Sequence, residues 1–293
     1  MKATFLPDRG VVQVSGADAR KFLNGLVTTD VTKLHPGAAR FGALLTPQGK
    51  IIVDFLITQA PAEDGERFLL DCPRALAQAL TDKLKLYKLR AQISIENLSE
   101  QVGVIAAWDG APATRPALSF ADPRQPELGL RIIAPQSALP GVASELGAEI
   151  ADVSAYDAHR IAHSIPSGGL DFAYGDAFPH ETNMDHLNGV DIGKGCYVGQ
   201  EVVSRMHHRG TTRTRAAQVL LEGSAPEPGT PIMAGDKTVG TMGSAVAQKG
   251  IALLRIDRTA EAIAAGTPLT ADGRALCVAD LDALRGAPKQ TVA

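Results

Sequence analysis

The nine residues Gly193–Glu201, GKGCYVGQE, place a cysteine between glycines on a stretch that no strand precedes. Thiolate sulfur is a nucleophile and a metal ligand, and Lys194 beside Cys196 would favour that form. Three glycines within seven residues imply tight turns and close backbone approach. A phosphate-binding P-loop does not fit, because Gly195 follows Lys194 where Ser or Thr is needed, and Asn188 stands at the first glycine position. The spacing G-x-G-x-x-x-G also departs from the dinucleotide fingerprint. Charge flips sign around the loop. Residues 171–191 carry Asp171, Asp176, Glu181, Asp185 and Asp191 without Lys or Arg. Residues 194–215 carry Lys194, Arg205, Arg209, Arg213 and Arg215 against Glu201 alone, with His207 and His208. Such blocks are either solvated loops facing each other, or carboxylates for an amine-bearing head beside a basic strip for an anionic tail. In an extended segment His207 and His208 would point oppositely, so they make no two-histidine metal face. Asp54 is a lone carboxylate in the apolar run KIIVDFLIT and must be satisfied or functional.

The elements that must hold these residues read as α+β layers. Residues 10–15 form a strand, and Ser15 or Asp18 can cap a helix carrying Phe22, Leu23 and Leu26. RFGALLT and KIIVDFLIT form a hairpin about Pro47-Gln48-Gly49. Strand 67–71 leads into a helix with Leu76, Leu80, Leu84 and Tyr87 on its apolar face, begun at Pro73. Strands at 91–96, 102–107 and 128–133 follow, with a loop at 110–127 and helices near 136–146 and 152–162. Beyond about 208–216, short β-branched segments are punctuated by Gly, Pro and Asp every 8–12 residues, which indicates a small all-β barrel or sandwich.

Composition bounds the partners. Among 293 residues, 29 basic and 32 acidic side chains give a net charge of −3, which excludes a polybasic domain that coats nucleic acid. Cys72, Cys196 and Cys277 lie far apart without a CxxC pair. A disulfide scaffold and a locally encoded zinc or iron–sulfur site are therefore not expected, and no resident metal is predicted. Cys72 and Cys277 adjoin apolar segments and read as packing. Free thiols, Pro7-Asp8-Arg9 in place of a leader, and no run of ~18 apolar residues predict a cytoplasmic protein without a membrane span.

KGCYVGQE closely resembles the signature of the YgfZ family, folate-binding proteins of iron–sulfur protein maturation. KFLNGLVTTDV at 21–31, TPQGKIIVDFLI at 46–57 and VVSRMHHRGTTRTR at 202–215 match in the same order across nearly the whole chain. The HHRG stretch resembles the mitochondrial and alphaproteobacterial branch more than the enterobacterial one. YgfZ proteins are similar to GcvT, the tetrahydrofolate-dependent aminomethyltransferase. The resemblance implies an α+β fold with GcvT-like folate-binding subdomains around a central channel over 1–210. A C-terminal β-barrel over 211–286 and a disordered tail at 287–293 complete it. It also implies tetrahydrofolate or a one-carbon derivative as cofactor, and iron–sulfur client proteins and assembly factors as partners.

Residue by residue, Asp54 matches the aspartate that GcvT uses at the reactive folate nitrogens. Glu181 and Asn183 fall where the family meets the pterin edge, and Arg160 aligns with a helix arginine. Ala162 stands where GcvT has glutamate, which weakens aminomethyl transfer. Tyr197 is shared with GcvT and either stacks on folate or packs in the core. Arg205 and Arg209, with Arg213, would receive the carboxylates of the glutamate tail. Cys196 is the residue that distinguishes YgfZ. The expected function is a tetrahydrofolate-binding maturation factor with Cys196 as functional thiol; the alternative is one-carbon transfer as in GcvT. A cysteine hydrolase is disfavoured, since no histidine lies near Cys196 in sequence. One thiol cannot hold a [4Fe–4S] cluster, which needs about four such ligands, so any cluster contact is shared.

Overall fold

The computed structural model describes residues 1–62 and 65–285, so the tail expected at 287–293 lies outside them. In chain order the first elements are β1 (Lys2–Phe5), β2 (Arg9–Gly16), α1 (Ala19–Asn24), β3 (Ala39–Leu45), β4 (Ile51–Ala60), β5 (Glu66–Pro73) and α2 (Arg74–Lys88). There follow β6 (Ser94–Asn97), β7 (Val102–Trp108), β8 (Ser119–Ala121), β9 (Leu130–Pro135), α3 (Leu139–Glu145), β10 (Glu149–Ile150) and α4 (Val153–Ala162). The Pro47-Gln48-Gly49 turn closes the β3–β4 hairpin, with Gly49 at φ +82° donating its N–H to the Thr46 carbonyl. That pair extends into a five-stranded sheet of order β3-β4-β5-β2-β6. Alternation along β4 sends Val53, Phe55 and Ile57 into a core with Leu23 of α1 and Ala77, Leu80 and Leu84 of α2. Each such buried side chain contributes roughly 1.5–3 kcal/mol. Asp54 and Leu56 take the other face.

The second sheet has order β10-β1-β7-β9-β8. Its edge strand β8 lies inside the segment expected to be loop throughout; Phe120, fully buried, holds it against β9. Asp18 stands at the α1 N-terminus but does not cap it. Its Oδ2 instead accepts the backbone N–H of Gln92, tying α1 to the approach of β6.

The later elements are α5 (Gln200–Arg209), β11 (Thr214–Leu221), β12 (Pro231–Ala234), β13 (Lys237–Val246), β14 (Lys249–Arg255), α6 (Ile256–Ala264), β15 (Leu269–Ala271), β16 (Arg274–Val278) and α7 (Leu281–Arg285). The strands close into a barrel, β11-β14-β13-β12-β15-β16, around Val219, Ile232, Met242 and Leu254. Closure removes unpaired strand edges. Helix α6 is absent from the sequence reading of this region. The segment holding His207 and His208 is helical rather than extended. Its Gln, Glu, Arg and Met residues favour helix, Val203 turns inward, and His207, His208 and Arg209 occupy the last turn, where cations suit the helix dipole. The two rings meet edge-on at 5.3 Å.

Two compact units result. One comprises Met1–Tyr156 with Leu187–Gln200; the other comprises Asp157–His186 with the chain from Glu201 onward. Residues 157–186 thus belong with the barrel rather than with the N-terminal sheets.

Candidate functional site

The Cys196 loop is fastened on both sides of the cysteine. The Lys194 Nζ donates to the carbonyls of Asn24 at 2.8 Å, Val27 at 2.6 Å and Thr29 at 2.9 Å. These are the last residue of α1 and the turn after it, so the ammonium satisfies backbone acceptors that the helix leaves open. All three of its protons are spent there, so Lys194 clamps the loop to the turn after α1. Burial pushes the Lys194 amine down to about 8, partly opposed by Asp30 and Asp191. The ammonium also lies 5.0 Å from the centre of the Tyr197 ring. Tyr197 is buried, and burial, then the charge of Asp191, pushes its phenol up to about 12. Gly199, at φ +82°, presses on the β3–β4 turn; a Cβ there would stand 2.6 Å from the Thr46 carbonyl oxygen. Val198 packs against the core shared with α1 and α2. Cys196 itself is exposed. The loop is a rigid mount presenting one thiol.

The other two thiols differ. Cys72 is buried, and burial outweighs the neighbouring Arg9 to push it up to about 12. Cys277 is exposed on barrel strand β16, opposite Leu220.

Asp54 lies on the sheet face opposite α1 and α2, so the sheet separates it from the core on which Val198 of the cysteine loop packs. Its charge acts on two arginines. Arg9 donates from Nε to Asp71 Oδ1 and from Nη2 to the Asp71 carbonyl, both at 2.6 Å. Burial disfavours the Arg9 cation, and Asp71 and then Asp54 outweigh that cost and raise its pKa. Arg124 is raised in the same way by Asp122, Tyr156 and Asp54 against burial. Arg124 donates from Nη2 to Asp122 Oδ2 at 2.7 Å and lies over the Phe41 ring. Arg131 joins through Asp122 and donates to the Tyr156 hydroxyl at 2.6 Å. Its Nη1 is buried without a hydrogen-bond acceptor among the described residues. Arg124 and Arg131 carried no sequence signal; only the fold brings Arg124 within range of the Asp54 charge and joins Arg131 to Arg124 through Asp122.

The remaining predicted residues lie in the second unit, and most have structural partners there. Arg160 is buried, donating from Nε to Asp157 at 2.6 Å, from Nη1 to Asp171 at 2.9 Å and from Nη2 to Ser244 Oγ at 2.9 Å. Asp171 is saturated: Oδ2 also accepts the N–H of Ser167, and Oδ1 accepts the N–H and hydroxyl of Ser244. Glu181 accepts the Phe178 N–H and closes a one-turn helix, Pro179–Thr182. Asn183, at φ +61°, donates to the Ala216 carbonyl and accepts from Arg215. Arg215 forks onto Asp185 at 3.0 and 3.1 Å. Burial disfavours the Asp185 carboxylate, but the Arg215 hydrogen bonds hold its pKa below the ordinary value. The acidic and basic blocks therefore meet each other in part. Arg205 pairs with Glu201 on the exposed side of α5, and Arg209 is exposed at its end. Among the described residues, no three His, Cys, Asp or Glu side chains are grouped to hold a metal, and no helix is long and apolar enough to cross a membrane.

This architecture, an α+β body followed by a closed six-stranded barrel, is that of the GCVT class. Residues 8–115 match the family model for the GCVT N-terminal domain, and residues 213–285 match that for the CAF17 C-terminal beta-barrel domain. The crystal structure of glycine cleavage system aminomethyltransferase T from Bartonella henselae superposes with a TM-score of 0.73, covering 96% of this chain and 85% of that one, at 16% identity. It shows the shared fold. In sequence, the chain is 37% identical over 239 residues to the mitochondrial iron–sulfur cluster assembly factor IBA57 homolog of Mycosarcoma maydis, covering 77% of this chain. It spans 59% of that relative's length. It is 31% identical over 277 residues to the mitochondrial IBA57 of Mus musculus, covering 85% of this chain and 76% of that protein. The chain belongs to the iron–sulfur cluster assembly factor IBA57 family. IBA57 is a close relative of YgfZ but is not YgfZ itself, so the resemblance read from KGCYVGQE is narrowed accordingly. The cytoplasmic expectation is overturned: these relatives are mitochondrial proteins. Free thiols describe a reducing setting, not a particular compartment.

Proposed function

We propose that the protein is an iron–sulfur cluster assembly factor that uses Cys196 as a thiolate ligand completed by ligands from a partner protein. The observation that carries this reading is the exposed Cys196 held in a loop fastened at Lys194 before it and at Tyr197 and Gly199 after it. A preorganised thiol accepts a metal centre without first ordering its own backbone. The cluster is cargo, and client proteins and other assembly factors are the partners. In a strain lacking this gene, Cys196→Ser is expected to leave cluster-dependent enzymes inactive, while Cys277→Ser restores them. Full restoration by Cys196→Ser would end the reading.

Tetrahydrofolate is the proposed cofactor, supported by the GCVT-type N-terminal domain and by the cluster around Asp54. A pterin edge offers N–H donors beside a carbonyl acceptor. Asp54 supplies an acceptor, and the buried Arg131 Nη1 supplies a donor without a partner among the described residues, so the residues present fit such a group. Tetrahydrofolate would supply a reduced pterin, and Asp54 would orient it. Calorimetric titration should show saturable binding by wild type and loss in Asp54→Ala. No heat or saturation with wild type at high folate concentration would refute it. Aminomethyl transfer is the weaker alternative, because α4 ends in Ala162 rather than an acid.

A further inference from the structure

The last turn of α2 and the residues after it read KLKLYKLR, residues 83–90. The helix buries Ala77, Leu80 and Leu84, and Tyr87 still packs on the same core. Leu86 and Leu89 do not: they are 72% and 90% exposed, the most exposed large apolar side chains among the described residues. Leu89 also holds φ +44°, a positive value that side chains other than glycine rarely adopt. A leucine there accepts strain and water together, and nothing else in the described chain covers it.

The collar around the two leucines is of one sign. Lys83, Lys85, Lys88 and Arg90 are four cations with no acid between them, in a chain whose net charge is −3. The acids on the elements nearby are engaged: Asp82 accepts from Gln78, Asp18 accepts from the Gln92 N–H, and Glu96 accepts from Ser94. None of the four cations has an ion-pair partner among the described residues. Self-association through this patch would bring like charges together, because a two-fold contact apposes the same surface twice. Leu86 and Leu89 are three residues apart, two adjacent knobs of the size that fills a pocket. The complement is an apolar pocket with an acidic rim.

The position adds a second consideration. Tyr87 and Val198 pack against one core, so this patch and the Cys196 loop belong to the same, helix-covered side of the sheet. We propose that the α2 terminus is a docking surface for a protein bearing an acidic-rimmed apolar pocket, the same protein that completes the ligands at Cys196. The surface stands independently; the identity of its occupant with the ligand-sharing partner rests on the reading of Cys196 given above.

The test places a photo-crosslinking phenylalanine analogue at Leu86 of the full chain in its native cells and maps the crosslinked residues by mass spectrometry. The expected result is a crosslink to one acidic protein surface. The crosslink should fall about tenfold with Lys85→Glu/Lys88→Glu/Arg90→Glu and return when the mapped acids of the partner are changed to lysine. Leu86→Ser/Leu89→Gly, which removes the two exposed side chains and relieves the backbone at residue 89, should lose binding of the purified partner while its melting temperature stays within a few degrees of wild type. Crosslinks to lipid, to a second copy or to an uncharged surface, indifference to charge reversal, or no crosslink at all would each overturn the proposal. So would sedimentation of the wild type, but not the triple variant, with phosphatidylserine vesicles. Cys196→Ser separates the two readings: a crosslink that persists in a chain whose cluster function is intact without Cys196 keeps the surface and removes only the shared-ligand assignment.

Discussion

Two buried cations hold the two units in different ways. Arg160 is fastened by carboxylates, with Asp157 and Asp171 both in contact and Ser244 completing the set. Lys194 is fastened by three neutral carbonyls. A guanidinium paired with anions keeps its proton at every accessible pH. An ammonium held by dipoles alone feels its burial, and its pKa sits near 8. The first arrangement is architectural. The second fixes a loop whose next residue but one is the exposed thiol, and it leaves that loop titratable.

The sharpest way to break the contrast is to remove the anion from the first knot. Asp171→Ala leaves the buried Arg160 with Asp157 as its one carboxylate and Ser244 without its acceptor, and should cost about 3 kcal/mol of stability, read by urea unfolding. A loss below 1 kcal/mol would show that the knot is not structural. Lys194→Ala leaves three backbone carbonyls without their donor and should cost about 2 kcal/mol, since unmade buried hydrogen bonds cost about 1–3 kcal/mol. Faster amide exchange should appear at 24–29 and 193–199 and leave barrel strands unchanged. The pH dependences should then diverge. The folded pKa of Lys194 lies below the ordinary 10.5, so the unfolded chain binds the extra proton between about 8 and 10.5. The stability of wild type relative to Lys194→Met should rise across that window, and the difference between wild type and Arg160→Met should stay flat. On the acid side Asp185, held low by Arg215, contributes stability that is present above 3.8 and lost as pH falls through its depressed value. The gap between wild type and Asp185→Asn should therefore close below about pH 4. The smallest effect is expected at Arg205, whose exposed pair with Glu201 should change stability by less than about 0.5 kcal/mol when Arg205 becomes Ala.

Sequence made some of this legible and hid the rest for physical reasons. The β3–β4 hairpin was readable because Pro47-Gln48-Gly49 encodes its turn locally. The barrel was readable because Gly, Pro and Asp mark its corners. Helix α5 was misjudged from two adjacent histidines, although Val203 and the charges at each end carry its helical pattern. The work of Lys194 had no signature at all, since its acceptors are main-chain carbonyls some 165–170 residues earlier. Likewise, alignment with a family nominates Arg160 and Asn183 as ligand groups but is blind to what their side chains touch. The structure shows both already bonded within their own unit.

The interleaving of the two units has a consequence for how the chain can be built. Each unit is assembled from two stretches of chain, and the backbone passes between them three times, after Tyr156, His186 and Gln200. During synthesis, residues 157–186 emerge before any barrel strand exists to receive Ile161 or to supply Ser244. The first unit likewise stays incomplete until Lys194 has left the ribosome. A barrel produced alone from residue 211 would lack the segment that covers Ala216 and Ile251, so it would expose an apolar patch that the whole chain never shows. The first unit has all of its sequence once Gln200 has emerged, whereas the second waits for the barrel strands, so only a chain released before Gln200 finishes neither.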